Sequence, residues 1–87
     1  MMYANIGGDT METAMLDSKI VGEVIAEYRR KRGVSQEVLS GLADIGRTHL
    51  SAIERGDRKP TLETFYRLSL ALGTTMSALC TEIEDRI

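Results

Sequence analysis

Arg47, Thr48, Ser51 and Arg55 are the side chains whose types and spacing invite a chemical reading. Set one, four and eight residues from the first, they would share one face of a short helix, and each carries a hydrogen-bond donor. Guanidinium forks and hydroxyls bond well to planar acceptors and to phosphate oxygens, but at neutral pH they neither take up protons nor attack a substrate without an activating partner. The residues that could supply such activation are isolated. The chain has one histidine, His49, and one cysteine, Cys80, with no carboxylate pair and no nucleophile beside a base, so no enzyme is expected. His49 has no cysteine or second histidine at ligand spacing, so neither a metal site nor a cofactor is expected.

The charge distribution points the same way as the donors. Eleven basic and thirteen acidic side chains give a net charge of −2, which taken alone argues against a polyanionic partner. Between Arg29 and Lys59, however, eight basic residues face four acidic ones, a local net of +4, while the rest of the chain carries three basic and nine acidic residues, a net of −6. One basic face and an acidic opposite side would produce this asymmetry. Part of it has a purely structural explanation: Arg29, Arg30, Lys31 and Arg32 fall where cations complement the negative end of a helix dipole.

Short helices must position these groups. At 87 residues there is room for one domain and none for a second, ligand-sensing domain, so no small-molecule ligand is expected. No sustained apolar/polar alternation marks a strand, and helical spacing recurs, so the chain reads as all-α. Residues 1–16 hold Gly7-Gly8 and no period, and read as an N-terminal arm, a candidate for disorder; the domain is expected over 17–87. Asp17 or Ser18 can cap a first helix with Ile20, Val21, Val24, Ile25 and Tyr28 on one stripe, ended by Gly33. Ser35 caps a second, with Val38, Leu39, Leu42 and Ala43 as its apolar face and Gly41 weakening it. After the break Asp44-Ile45-Gly46, Leu50 and Ile53 mark a third that stops at Gly56. Thr61 caps a fourth (Leu62, Phe65, Leu68, Leu72) and Thr75 a fifth (Met76, Leu79, Cys80, Ile83, Ile87). Cys80 among these apolar neighbours reads as a buried packing residue. A lone cysteine, no signal-peptide core and no long apolar span fit a cytoplasmic protein without a membrane partner.

Two brief helices across a three-residue turn have the form of a helix-turn-helix, whose second helix enters the major groove of DNA. Such a unit needs a small residue at the contact, a turn residue tolerant of the left-handed region and apolar anchors under the second helix. Ser40, Asp44, Ile45, Leu50 and Ile53 meet those needs, and with Leu50 and Ile53 inward the donor face of Arg47, Thr48, Ser51 and Arg55 must point out. The stretch SQEVLSGLADIGRTHLSAIERG, continuing through RKPTLETFYRLSLALG to Met76-Ser77-Ala78-Leu79, resembles the lambda repressor and Cro-like family, the XRE-type regulators, and the resemblance covers Lys19 to Leu79. Arg47-Thr48 followed by the ring of His49, with the short last helix, also resembles the restriction-modification controller proteins.

The resemblance implies a compact five-helix domain that binds double-stranded DNA as a transcriptional regulator, with Arg47, Thr48, Ser51 and Ala52 at the base-reading positions. Gln36 matches a glutamine that touches a phosphate and can brace the third helix, and Arg29 and Glu54 match a pair that ties the first helix to the third. Where the family usually has a glycine stands Asp44, and Gly46 replaces a hydroxyl cap, which keeps the geometry but removes one hydroxyl near the phosphates. His49, Arg55, Arg58 and Lys59 are expected at the DNA backbone, although Arg58 and Lys59 also read as an ordinary solvated loop. One reading helix covers few base pairs. A homodimer on a palindromic operator is therefore expected, with Met76, Leu79, Cys80, Ile83 and Ile87 on the last helix as the interface. The alternative is an antitoxin-like interaction module of the same fold, with DNA binding secondary.

Overall fold

A computed structural model describes residues 14–87, in which five helices follow one another with no strand among the described residues. Most of the N-terminal arm, residues 1–13, lies outside the described residues. Helix α1 runs Ser18–Arg32, α2 Gln36–Ala43, α3 Arg47–Arg55, α4 Leu62–Ala71 and α5 Met76–Asp85.

Short-range hydrogen bonds set these boundaries. Asp17, Ser35, Thr61 and Thr75 each accept a backbone N–H of the first turn that they precede, satisfying a donor that the helix itself cannot. Gly33 and Gly56 end α1 and α3 in the left-handed conformation, with φ of 78° and 84°. At the end of α2 Asp44 takes the same conformation, φ 57°, the sole non-glycine residue with positive φ among those described. Its short polar side chain tolerates that region better than a branched one would.

Around one core, α1 contributes Val21, Val24 and Ile25, α2 Leu39 and Ala43, α3 Leu50 and Ile53, α4 Phe65 and Leu68, and α5 Leu79 and Ile83, with Leu72 following α4. Three expectations about facing need correction. On α2, Val38 and Leu42 are exposed, and Ser40 is buried beside Leu39 and Ala43. At about 100° per residue, Leu39, Ala43 and Ser40 span one arc, and Val38 and Leu42 fall outside it. Burying a serine at the helix contact thus rotates the whole apolar face. Its hydroxyl donates to the Glu37 carbonyl, 3.0 Å, so its burial leaves no orphan donor. On α4, Leu62 is exposed while Phe65, Leu68 and Ser69 point inward. On α5, Leu79 and Ile83 occupy the inward positions one turn apart, and Cys80, a third of a turn on from Leu79, is exposed rather than buried.

The C-terminal end of α5 is tied to α1 by a forked ion pair: Arg86 Nη2 and Nη1 donate to Glu27 Oε1 and Oε2, 2.6 and 3.1 Å. This hydrogen bonding holds the Glu27 carboxyl below the usual carboxylate range, against partial desolvation that works the other way.

Candidate nucleic-acid interface

The placement of α3 follows from what lies beneath it. Leu50 and Ile53 are fully buried, and on the other side α1 presents Gly22, a buried residue without a side chain. A Cβ at Gly22 would lie 2.6 Å from the Glu54 carbonyl oxygen and in hard contact with the Ile53 carbonyl oxygen. The backbones of α1 and α3 therefore meet with nothing between them. One turn earlier on α1, Lys19 sits against Gly56, where a Cβ would be 2.8 Å from the Lys19 Cα. Nothing in the apolar pattern marks Gly22, but a glycine inside a helical stretch is itself a signal of close approach.

A second device fixes the same end of α3. Arg29 Nε and Nη2 donate to Glu54 Oε2 and Oε1 at 2.7 and 3.0 Å, and Gln36 Nε2 donates to Glu54 Oε1 at 2.9 Å. Arg29 Nη1 also donates to the Val34 carbonyl, 3.0 Å. One carboxylate, 6% exposed, thus joins α1, α2 and α3, and the guanidinium opposite it is 14% exposed. The bond to Glu54 raises the Arg29 pKa beyond its already high value, opposed by desolvation, so the guanidinium stays charged across the physiological range. Gln36 commits one amide donor here and keeps the other, along with its oxygen, free of this brace.

With Leu50 and Ile53 turned in, Arg47 and Thr48 are exposed, Ser51 and Ala52 half-buried and Arg55 exposed, all on one outward arc of α3. His49 is half-buried at the edge of that arc. Arg47 occupies the first helical position, where a cation is disfavoured by the helix dipole, and it makes no ion pair among the described residues. Gly46 caps α3 without a side-chain hydrogen bond, leaving the first N–H groups of α3 without a capping oxygen from its side chain. Arg58 and Lys59 are exposed in the loop leading to α4. Arg55 is held by two partners, Asp57 Oδ2 at 2.9 Å from Nε and Ser51 Oγ at 2.6 Å from Nη1, an arrangement that the sequence pattern does not reveal.

No group of three or more metal-ligating side chains occurs among the described residues, and no helix there is long and apolar enough to cross a membrane. What the arrangement offers is a braced short helix with an outward row of donors, followed by a basic loop. That is the class of helix-turn-helix reading heads.

Comparison with known proteins agrees. A family described as helix-turn-helix matches residues 25–79. The chain is 37% identical over 67 residues to the uncharacterized HTH-type transcriptional regulator y4dJ of Sinorhizobium fredii, covering 77% of this chain and 87% of that protein. It is 38% identical over 72 residues to control protein C.MunI of a Mycoplasma species, covering 80% of this chain and 97% of that one. Among solved structures, the restriction-modification controller protein C.AhdI of Aeromonas hydrophila superposes with a TM-score of 0.71 at 31% identity, covering 75% of this chain and 98% of the other. The chain belongs to the XRE-type helix-turn-helix family of DNA-binding transcriptional regulators. Its members act by binding and are not enzymes.

Proposed function

We propose that this protein is a sequence-specific regulator that binds a palindromic operator as a homodimer. The observation that carries the reading is the outward donor row of α3 on a support that fixes its pose: backbone contact at Gly22 and the three-helix brace at Glu54. In the bound state α3 lies in the major groove, Arg47 offers its fork to a guanine, and Thr48 and Ala52 contact neighbouring base edges. Gln36, His49, Arg58, Lys59 and the N-terminus of α3 set the register on phosphates. The likeness to C.MunI and C.AhdI favours a controller of a restriction-modification system as the more particular role.

A dimer needs a self-complementary surface. Leu79 and Ile83 serve the chain's own core, which leaves only Met76, Cys80 and Ile87 of the interface expected on α5. A better surface lies on α4, where Leu62, Tyr66 and Leu70 recur every fourth residue and are 75%, 48% and 59% exposed. Beside them Arg67 Nη2 donates to Glu63 Oε2 at 3.0 Å. Two copies of α4 packed antiparallel about a two-fold axis bring Leu62 towards the partner's Leu70 and let each Glu63 face an Arg67, with Met76 at the margin.

Sites selected from random duplex DNA should show two-fold-symmetric half-sites about 34 Å apart. Sedimentation at micromolar concentration should give a dimer. Tyr66→Glu should give a monomer of unchanged helix content, with affinity for the two-half-site operator lower by about a hundredfold. A single asymmetric site, or a Tyr66→Glu protein that still pairs and binds as before, contradicts the proposal.

A further inference from the structure

Arg55 closes α3, and its side chain does not run on past the end of the helix. It folds back, so that Nη1 donates to Ser51 Oγ at 2.6 Å while Nε donates to Asp57 Oδ2 at 2.9 Å. Ser51 lies one turn nearer the N-terminus, about 6 Å along the axis. The guanidinium therefore stands over the middle of α3. Two contacts from two directions fix its plane as well as its position.

Two of the five guanidinium N–H donors are committed to Asp57 and Ser51. One on Nη1 and two on Nη2 remain, enough for the fork that bonds guanine O6 and N7 together. The carboxylate at 2.9 Å also offsets part of the charge of Arg55. Attraction to phosphate depends on that charge. Base reading depends on the direction of the donors, which the carboxylate improves. An arginine partly offset in charge and oriented by two contacts is thus less suited to clamping the backbone than to reading a base.

From this geometry we infer that Arg55 is the base-reading group at the middle of α3, selecting a guanine, and that Ser51 and Asp57 are positioning residues that hold its fork. This rests on the proposed entry of α3 into the major groove. It reassigns Ser51 from reading to holding and Arg55 from the DNA backbone to a base.

The test uses the full chain, its selected operator and the single-base variants of that operator, titrated at several salt concentrations. Arg55→Lys keeps the charge and removes the fork. It should cost tenfold to a hundredfold on the operator and abolish preference at one G·C pair in each half-site, with the salt slope unchanged. Asp57→Ala should lower discrimination at the same pair several-fold, while binding to unrelated duplex tightens and the salt slope steepens by about one as the charge of Arg55 is released. Asp57→Asn, which retains an acceptor, should restore part of the discrimination. These side chains are exposed, and melting temperatures should match that of the parent. Base preference left intact by Arg55→Lys, or by Asp57→Ala with affinity raised on all sequences alike, overturns the inference and makes Asp57 a screening charge. Failure of the parent protein to select any sequence overturns the reading beneath it instead.

Discussion

Replacing Glu54 by alanine is expected to destabilise the fold by about 3 to 5 kcal/mol, the cost of leaving a largely buried charge without its counterion. The Glu54 carboxylate accepts three hydrogen bonds, two from Arg29 and one from Gln36, and is nearly out of solvent. Alanine would strand the Arg29 guanidinium without its counterion and release Gln36, detaching α2 and α3 from α1 at one point. The net contribution of the pair is a different quantity. Burying two charges costs most of what their attraction returns, so Arg29→Met combined with Glu54→Leu should destabilise much less than Glu54→Ala alone. Urea unfolding of the parent and the two variants measures this. A destabilisation below about 1 kcal/mol for Glu54→Ala, the range of a surface pair, contradicts the brace.

The second large effect is expected at Gly22. Alanine there should cost about 3 kcal/mol, at the upper end of overpacking, because the obstructing atoms are the carbonyl oxygens of Ile53 and Glu54 rather than a movable side chain. Alanine is favoured over glycine in a helix by about 1 kcal/mol, and that gain is already set against the clash. Gly41 supplies the control. It too lies inside a helix, but a Cβ there meets nothing within 4 Å, so Gly41→Ala should stabilise the protein by up to about 1 kcal/mol. Opposite signs for one substitution at two helical glycines are the expected result of thermal or urea unfolding. Equal signs would mean that α1 and α3 do not meet backbone to backbone.

How much of this could be read from residues alone depends on the range of the interaction. The caps at Asp17, Ser35, Thr61 and Thr75 are local, each bonding within three residues, and are legible as residue types before apolar runs. The turn at Asp44 is legible for the same reason. The facing of α2 is not. Val38 with Leu42 and Leu39 with Ala43 are both apolar pairs four apart, and over eight residues only the tertiary contact at Ser40 selects between them. Cys80, exposed beside buried Leu79, and Leu62, exposed one turn before buried Phe65, show the same limit: in a periodic pattern the exposed apolar residue looks like the buried one. Arg29 and Glu54, 25 residues apart, are visible only through the family resemblance. Nothing in the sequence joins Glu27 to Arg86 across 59 residues, or turns Arg55 back onto Ser51.

On the proposed function the outward face of α3 reads bases while the loop after it holds the backbone, and one titration separates the two roles. Arg47→Ala and Lys59→Ala are each measured against the selected operator and its single-base variants over a range of salt concentrations. Arg47→Ala should cost about 1 to 3 kcal/mol on the operator and flatten discrimination at one base pair in each half-site, with non-specific binding little changed. Lys59→Ala should weaken binding to every sequence alike and lower the salt slope by about one for each phosphate no longer neutralised. If Arg47→Ala weakens all sequences equally and leaves base preference intact, Arg47 is a phosphate clamp and the proposed reading role of the α3 N-terminus is wrong.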